Sequence, residues 1–393
     1  MVGPFGLEPR GTMQVRALPM AKALAARGHR VSMLLPPWQN PEAAGRRWTE
    51  DGVTVENVIL PPSVPGLFHG ATALRLARGT MAHQPDVVHL FKPKAYSGLV
   101  HWMLARLPRG RRPRLVVDTD DWEGPGGWNQ LGDYTALQRG FFARQERWGL
   151  THADAVTVAS RTLESLVWAL GVPPEGVFYV PNGVGERPRR VAREGTPDAR
   201  LLLYTRFFEF PVSRVIEVLQ RVRERVPAAR LLVVGRGLHG EEEELFRLAE
   251  AAGLRVAKST PGGEEDGDIV YLGWVEMETL PSTFARADVA LYPFDDTLVN
   301  RTKCAVKLVD LLAAGVPVVA EAVGQNKEYI RHGETGLLVE PGDAASFAES
   351  IVHLLKQEPL RRRMGEAAAR DVEERFSWKK LAAGVERAYG EGP

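Results

Sequence analysis

Residues 287–343 read ADVALYPFDDTLVNRTKCAVKLVDLLAAGVPVVAEAVGQNKEYIRHGETGLLVEPGD. Over residues 289–340 the pattern predicts a strand, a loop, a helix that starts with no bulky cap, a second strand and a glycine-containing turn. This βαβ order brings two strand ends and one helix N-terminus to a single crevice, which suits a phosphate. Asp310, a carboxylate on that helix, is placed to accept hydrogen bonds from a ribose diol. The stretch therefore reads as half of a nucleotide site in an α/β fold.

The same alternation runs through the rest of the chain. Residues 14–27 carry Val15, Leu18, Ala21, Leu24 and Ala25 at helical spacing, Gly28 stops the helix, and residues 30–36 read as a strand. Buried strands are predicted at 87–90, 115–118, 155–159 and 177–180, with helices between them. The first strand, at Met1-Val2, is very short or truncated, because Gly3-Pro4-Phe5-Gly6 already reads as the loop after it. A polar stretch from 186 to 200 leads to a restart: strands at 201–204, 231–235, 269–272 and 289–292, and helices at 212–225, 242–252 and 280–286. The expected fold is two Rossmann-like β/α/β domains facing each other across a cleft, with ligands at the strand carboxyl ends. The domains are set at 1–182 and 183–374, followed by a terminal helix over 375–393.

With 393 residues, two domains are expected, and 44% hydrophobic and 25% charged residues fit a folded enzyme. A formal charge of +1 gives nucleic acid no footprint, so it is excluded as a partner. Residues 1–182 hold 20 Lys+Arg against 15 Asp+Glu, so this half is mildly basic; an anionic acceptor and ordinary surface variation both explain it. The single cysteine, Cys304, excludes an internal disulfide and a cysteine-based zinc site. With neither a leader nor an apolar run of spanning length, the expectation is a cytoplasmic protein. Forty of the 50 basic residues are Arg and only 6 residues are Asn, which points to a thermophile or to a GC-rich genome without separating them.

At this point the residues resemble a known family, the retaining glycosyltransferases of family 4 (group 1 glycosyltransferases), which have the GT-B fold. The resemblance covers nearly the whole chain and is strongest after Pro181. Asp310-Leu311-Leu312-Ala313-Ala314-Gly315-Val316-Pro317-Val318-Val319 resembles the second acidic position of the family signature, its small-residue run and its Pro-Val-Val strand. Val323-Gly324-Gln325-Asn326-Lys327-Glu328 resembles the Gly-Gly-x-x-Glu turn, and residues 333–339 resemble the closing loop. Pro181-Asn182-Gly183-Val184 is similar to the interdomain linker, and Phe376-Ser377-Trp378 to the start of the helix that crosses back to the first domain. Two positions depart from the family. The first acidic position, where a Glu contacts the donor sugar, is Thr302. The Gly-Arg strand end is Thr205-Arg206, and the family's following Lys falls on Pro211. Lys307-Leu308-Val309-Asp310 resembles a family sub-pattern, so the donor site is expected to be rewired, not lost.

The resemblance implies a retaining transfer from a nucleotide-sugar donor to a carbohydrate or lipid-linked acceptor, with no cofactor and no metal. The leaving diphosphate gains charge as the glycosidic bond breaks, and cations and helix amides must stabilise it. By family position Arg206 is the first cation; a surface Arg paired with Glu209 is the alternative. Lys303 and Lys307 flank the helix start and supply a second cation, or else lie on a solvated face. The backbone of Cys304, Ala305 and Val306 forms the helix N-terminus. Trp274 and Val275 meet the base, with Trp274 as a core residue the competing reading, and Glu328 completes the donor site. In the first domain the loop over 3–11, with Gly6 and Gly11, approaches the donor phosphate or acceptor. His89 matches one of two family histidines and is a catalytic candidate, although a lone strand histidine is more often structural.

The acidic run Asp118-Thr119-Asp120-Asp121-Trp122-Glu123 lies at a strand end. Asp120 and Asp121 are candidates to orient the acceptor hydroxyl or take its proton; a Mg²⁺ site and a solvated loop are the alternatives. Trp122, Trp128 and Asn129 suit a sugar. The basic loop RLPRGRRPR, residues 106–114, reads first as solvated and second as a peripheral contact with anionic lipid at the inner membrane face. Two competing functions stand beside transfer: a GT-B module that binds nucleotide-sugar with little turnover, and another GT-B enzyme such as a nucleotide-sugar epimerase. A glycan phosphorylase would need a pyridoxal lysine and a longer chain.

Overall fold

The computed structural model describes residues 1–9, 11–64, 67–108, 110–185, 199–263 and 266–390. The polar stretch over 186–198 lies outside the described residues, as do Arg10 in the glycine-containing loop and Arg109 in the basic loop. The chain divides into two compact units. One comprises Met1–Gly185, Arg301–Cys304 and Ser377–Pro393, and the other Glu186–Asn300 and Ala305–Phe376. The contact pattern thus groups Arg301–Cys304 with the first unit, although these residues lie inside the range expected for the second domain.

The first unit contains β1 (Val31–Leu35), β2 (Arg47–Glu50), β3 (Val53–Asn57), β4 (Val87–Phe91), β5 (Arg114–Thr119), β6 (Ala155–Val158) and β7 (Val177–Tyr179). They form the runs β1-β3-β2 and β4-β5-β6-β7, parallel except for the β2–β3 pair. Val2 bridges the two runs, pairing in parallel with Leu34 on one side and Leu90 on the other. Its N–H donates to the His89 carbonyl at 2.8 Å, and its carbonyl accepts from Phe91 at 2.9 Å. The very short first strand is thus a single residue at the centre of the sheet. The chain leaves it toward β1 on one side and β4 on the other, which makes the loops after Val2 and β4 the switch point of this unit. The periodicity did not place β2 and β3. Their turn, Asp51-Gly52, has both residues at positive φ (46° and 82°), the geometry of a tight hairpin that Asp-Gly favours.

The second unit contains β8 (Arg200–Tyr204), β9 (Arg230–Val234), β10 (Val256–Lys258), β11 (Ile269–Gly273), β12 (Val289–Tyr292), β13 (Val318–Glu321) and β14 (Leu337–Val339). Their order is β10-β11-β9-β8-β12-β13-β14, all parallel. The order reverses between β8 and β12, so the crevice beyond their carboxyl ends is where such a sheet binds ligands. Helix Val212–Arg225 buries Val212, Val215, Ile216, Leu219 and Val222 at helical spacing, and packs on helix Ala344–Lys356. No helix among the described residues is long and apolar enough to cross a membrane.

Gly235, directly after β9, fixes the end of β8. A Cβ there would lie 1.9 Å from the Thr205 carbonyl oxygen, and its φ is +122°. The two strand ends can touch only because residue 235 has no side chain. Gly235→Ala is expected to lower stability by about 1–3 kcal/mol and to displace Thr205-Arg206. Denaturant unfolding with nucleotide titration of the same variant checks both effects.

Candidate functional site

In the second unit the loop after β8 carries Arg206, which is half-buried, and its Nε has no hydrogen-bond partner among the described residues. Phe207 follows at φ +68°, a left-handed conformation uncommon for a residue with a side chain, and its N–H donates to Thr205 Oγ1 at 2.7 Å. The Glu209 carbonyl accepts from Asp295 N–H at 2.8 Å and from Asn300 Nδ2 at 2.7 Å. These bonds tie the loop after β8 to the loop after β12. A second clamp lies beside it. Glu321, fully buried at the end of β13, accepts from Arg214 Nη1 at 2.9 Å and from Gly342 N–H at 2.7 Å, and Arg214 also reaches Asp295 at 2.6 Å. Burial pushes the Glu321 carboxyl up, and these hydrogen bonds and the Arg214 charge pull against that. The motif reading did not find Arg214, Asn300 or Glu321, because their partners lie far away in sequence.

Helix Val306–Ala313 starts at Ala305 with no side-chain cap, so its first turn presents backbone alone, as expected for Ala305 and Val306. Asp310 lies on this helix and is 3% exposed, which rules out the exposed helix carboxylate. Lys307 is half-buried, with Nζ 5.5 Å from the centre of the Tyr204 ring beside β8. Trp274 is 50% exposed after Gly273 at φ +63°, so the reading as a core residue is overturned; Val275 is buried. Glu328 is half-buried on the short helix Asn326–Tyr329, and its carbonyl accepts from Arg375 at 3.0 Å.

Thr302, Lys303 and Cys304 belong to the first unit. There Ser160 Oγ donates to the Thr302 carbonyl at 2.7 Å and Asn182 Nδ2 to the Cys304 carbonyl at 2.9 Å. Asn182 Oδ1 accepts from Arg16, which forks onto Asp118 at 2.7 and 2.8 Å. Gly6 does not need to be glycine: it has no positive φ, and a Cβ would come no closer than 3.5 Å, whereas at Gly11 a Cβ would press on the Phe5 ring at 3.3 Å. At Gly3 a Cβ would lie 2.5 Å from Met13 Sδ, so the Met13 side chain would have to shift.

The acidic run is not solvated. Asp118 is buried against Arg16, and Asp120 takes a hydrogen bond from Thr12 at 2.6 Å. Lys92 and Lys94, which the motif reading missed, pair with Asp120, Asp121 and Glu123. Their sequence signal was two lysines directly after a buried strand. Asn129 is occupied inside its loop, accepting from Lys94 and donating to the Glu123 carbonyl, so its expected sugar contact is withdrawn. Trp122 Nε1 donates to Pro125. Among the described residues no cluster of three His, Cys, Asp or Glu forms a metal centre. His89 also needs correction as a catalytic candidate. It is 1% exposed, with Nδ1 3.0 Å from the Tyr389 hydroxyl and Nε2 3.1 Å from Thr157 Oγ1. Burial, with the N-terminal amine and Arg16, holds it well below the usual histidine range. Its ring is held between Thr157 and Tyr389 inside this unit. In the basic loop, Arg112 pairs with Asp154 at 2.7 Å and Arg114 donates to the Ala388 carbonyl at 2.9 Å, contacts within this unit that leave less of the loop for lipid.

Known proteins share both halves. Residues 11–183 match the glycosyl transferase 4-like domain, and residues 200–357 match the model for glycosyl transferases group 1. The chain belongs to the group 1 glycosyltransferases. This glycosyltransferase is 27% identical to the phosphatidyl-myo-inositol mannosyltransferase of Mycobacterium leprae, over 99% of this chain and 95% of that protein. It is 28% identical to the N-acetyl-alpha-D-glucosaminyl L-malate synthase of Bacillus anthracis, over 94% and 91%. Its structure is similar to sucrose-phosphate synthase from Thermosynechococcus elongatus, with TM-score 0.73, 20% identity and coverage of 99% and 98%. It is also similar to Anabaena HepE in complex with UDP and glucose, with TM-score 0.69, 16% identity and coverage of 100% and 99%. The fold is GT-B.

For this glycosyltransferase, Asp310→Ala is expected to weaken nucleotide binding by about 1.5–3 kcal/mol, the scale of a hydrogen bond to a charged group, without unfolding. Calorimetric titration checks the affinity, and thermal unfolding checks the fold.

Proposed function

We propose that the enzyme moves a sugar, with retention and without a metal, from a nucleotide-sugar donor to a carbohydrate or lipid-linked acceptor. The observation that carries this reading is Arg206, a half-buried guanidinium with an unpartnered Nε at the switch point of the second unit. Such a group is suited to an anion. The relatives' names support the donor and acceptor classes: one is a phosphatidylinositol mannosyltransferase, and the HepE structure holds UDP and glucose. The second unit takes the donor, with diphosphate at Arg206, Lys307 and the first turn of helix Val306–Ala313. Ribose falls to Asp310 and the base to Trp274 and Val275, while Glu328 completes the site. The first unit takes the acceptor, with Asp120 and Asp121 as the acid/base group. No cofactor beyond the donor is required.

Charge on the diphosphate grows as the glycosidic bond breaks, so a cation aimed at it contributes most in the transition state. Arg206→Ala and Lys307→Ala should each lower kcat by roughly 10²-fold or more and change donor affinity less. Arg206→Lys should recover part of the loss, because lysine cannot fork onto two oxygens. A screen of UDP-, GDP- and ADP-sugars with EDTA present measures this. A wild-type enzyme with no turnover on any donor would favour a binding module, and turnover restored only by Mg²⁺ would overturn the metal-free mechanism.

A further inference from the structure

Lys92 is the first residue after β4, at the switch point of the first unit, and it stands at φ +49°. Its N–H donates to the Asp118 carbonyl at 2.9 Å, which pins the turn to β5. The side chain is 8% exposed, and Nζ lies 2.9 Å from Asp120 Oδ1, 2.6 Å from Asp121 Oδ2 and 3.6 Å from Glu123 Oε1. An ammonium has three N–H donors, and three carboxylates surround this one. The groups facing Asp120 come from several elements. Thr12 and Arg16 lie near the start of the first helix, and Lys92 lies after β4. Asp118, Asp121 and Glu123 lie on its own segment, and Glu146 comes from helix Ala136–Thr151. Glu146 accepts the Glu123 N–H with both oxygens; burial, then the Glu123 charge, pushes its carboxyl well above the usual range.

We infer that Lys92 is a positioning residue of the transfer reaction, holding Asp120 and Asp121 together through its ammonium and fixing Asp121 as the carboxylate that meets the acceptor. The inference rests on the reading of these two aspartates as the acid/base group. Adjacent carboxylates repel, and without a cation between them one takes up a proton. Burial alone would raise the Asp120 carboxyl; Lys92, the Thr12 hydroxyl and Arg16 instead hold it below the usual range. Asp121 has the most exposed side chain of the carboxylates Lys92 touches, at 20% against 10% for Asp120 and 1% for Glu123. Removing the Lys92 charge therefore raises Asp120.

The test uses the full chain and hydrolysis of UDP-glucose and GDP-mannose, with water in the acceptor's place, from pH 4 to 9. Lys92→Met should lower kcat at least tenfold, leave the donor KM within about twofold, and move the acid limb up by about one pH unit or more. Lys92→Arg should bring the limb back. Infrared difference spectra give a readout independent of turnover: Lys92→Met should show one protonated carboxyl band more than wild type, at a pH where wild-type Asp120 is ionised. If Lys92→Met does not fold by thermal unfolding, Thr12→Val, which removes one hydrogen bond from Asp120, should move limb and band the same way by a smaller amount. An unmoved limb and band in these variants, with Asp121→Asn still slow, overturns the inference and keeps the acid/base reading. Asp120→Asn and Asp121→Asn at wild-type rate overturn the acid/base reading itself.

Discussion

The ion pair between Arg16 and Asp118 is the contact on which the first unit is built. Both side chains are fully buried, and the guanidinium forks onto the carboxylate. Its net gain over two apolar residues is small, but removing one partner leaves a stranded charge at a cost of about 3–5 kcal/mol. The pair therefore fixes position strongly. It sets the first helix against β5, takes the Thr157 hydroxyl of β6, and reaches Asn182 beyond β7. Asp120, two residues after Asp118, inherits that position.

The second unit solves its placement problem differently. Its ligand end is set by backbone proximity and by clamps on carbonyl groups. Gly235 lets the end of β9 touch the Thr205 carbonyl, Phe207 turns left-handed, and the Glu209 carbonyl receives two donors from the loop after β12. Arg206 projects from the short loop that these contacts hold. A backbone kept in place before a ligand arrives loses less freedom on binding.

Much of this fold was legible in the sequence, because parallel strands buried on both faces appear as short apolar runs between amphipathic helices. Helix Val212–Arg225 and the strands of the second unit follow that pattern closely. What escaped was either too short to show a period or paired at long range. β10 has three residues, and the Asp51-Gly52 hairpin carried a turn signal that apolar periodicity does not read. Asp120 and Asp121 were visible as an acidic run. Their partners were not, since Thr12 and Lys92 come from other loops and side-chain pairing leaves no mark on spacing. His89 and Trp274 show the same limit. One is enclosed by Thr157 and Tyr389, the other half in solvent, and only tertiary packing decides which.

The array of Arg16, Lys92 and Lys94 among Asp118, Asp120, Asp121 and Glu123 also bears on behaviour under heat. The hydration that buried charges give up becomes less favourable as temperature rises, so the cost of keeping them buried shrinks, while the gain from apolar burial levels off. A loop held by several enclosed charges therefore loosens later on warming than one held by side-chain packing alone. In this chain the segment held that way lies at the switch point of the first sheet, so the geometry of its loops should outlast the melting of the surface helices around it.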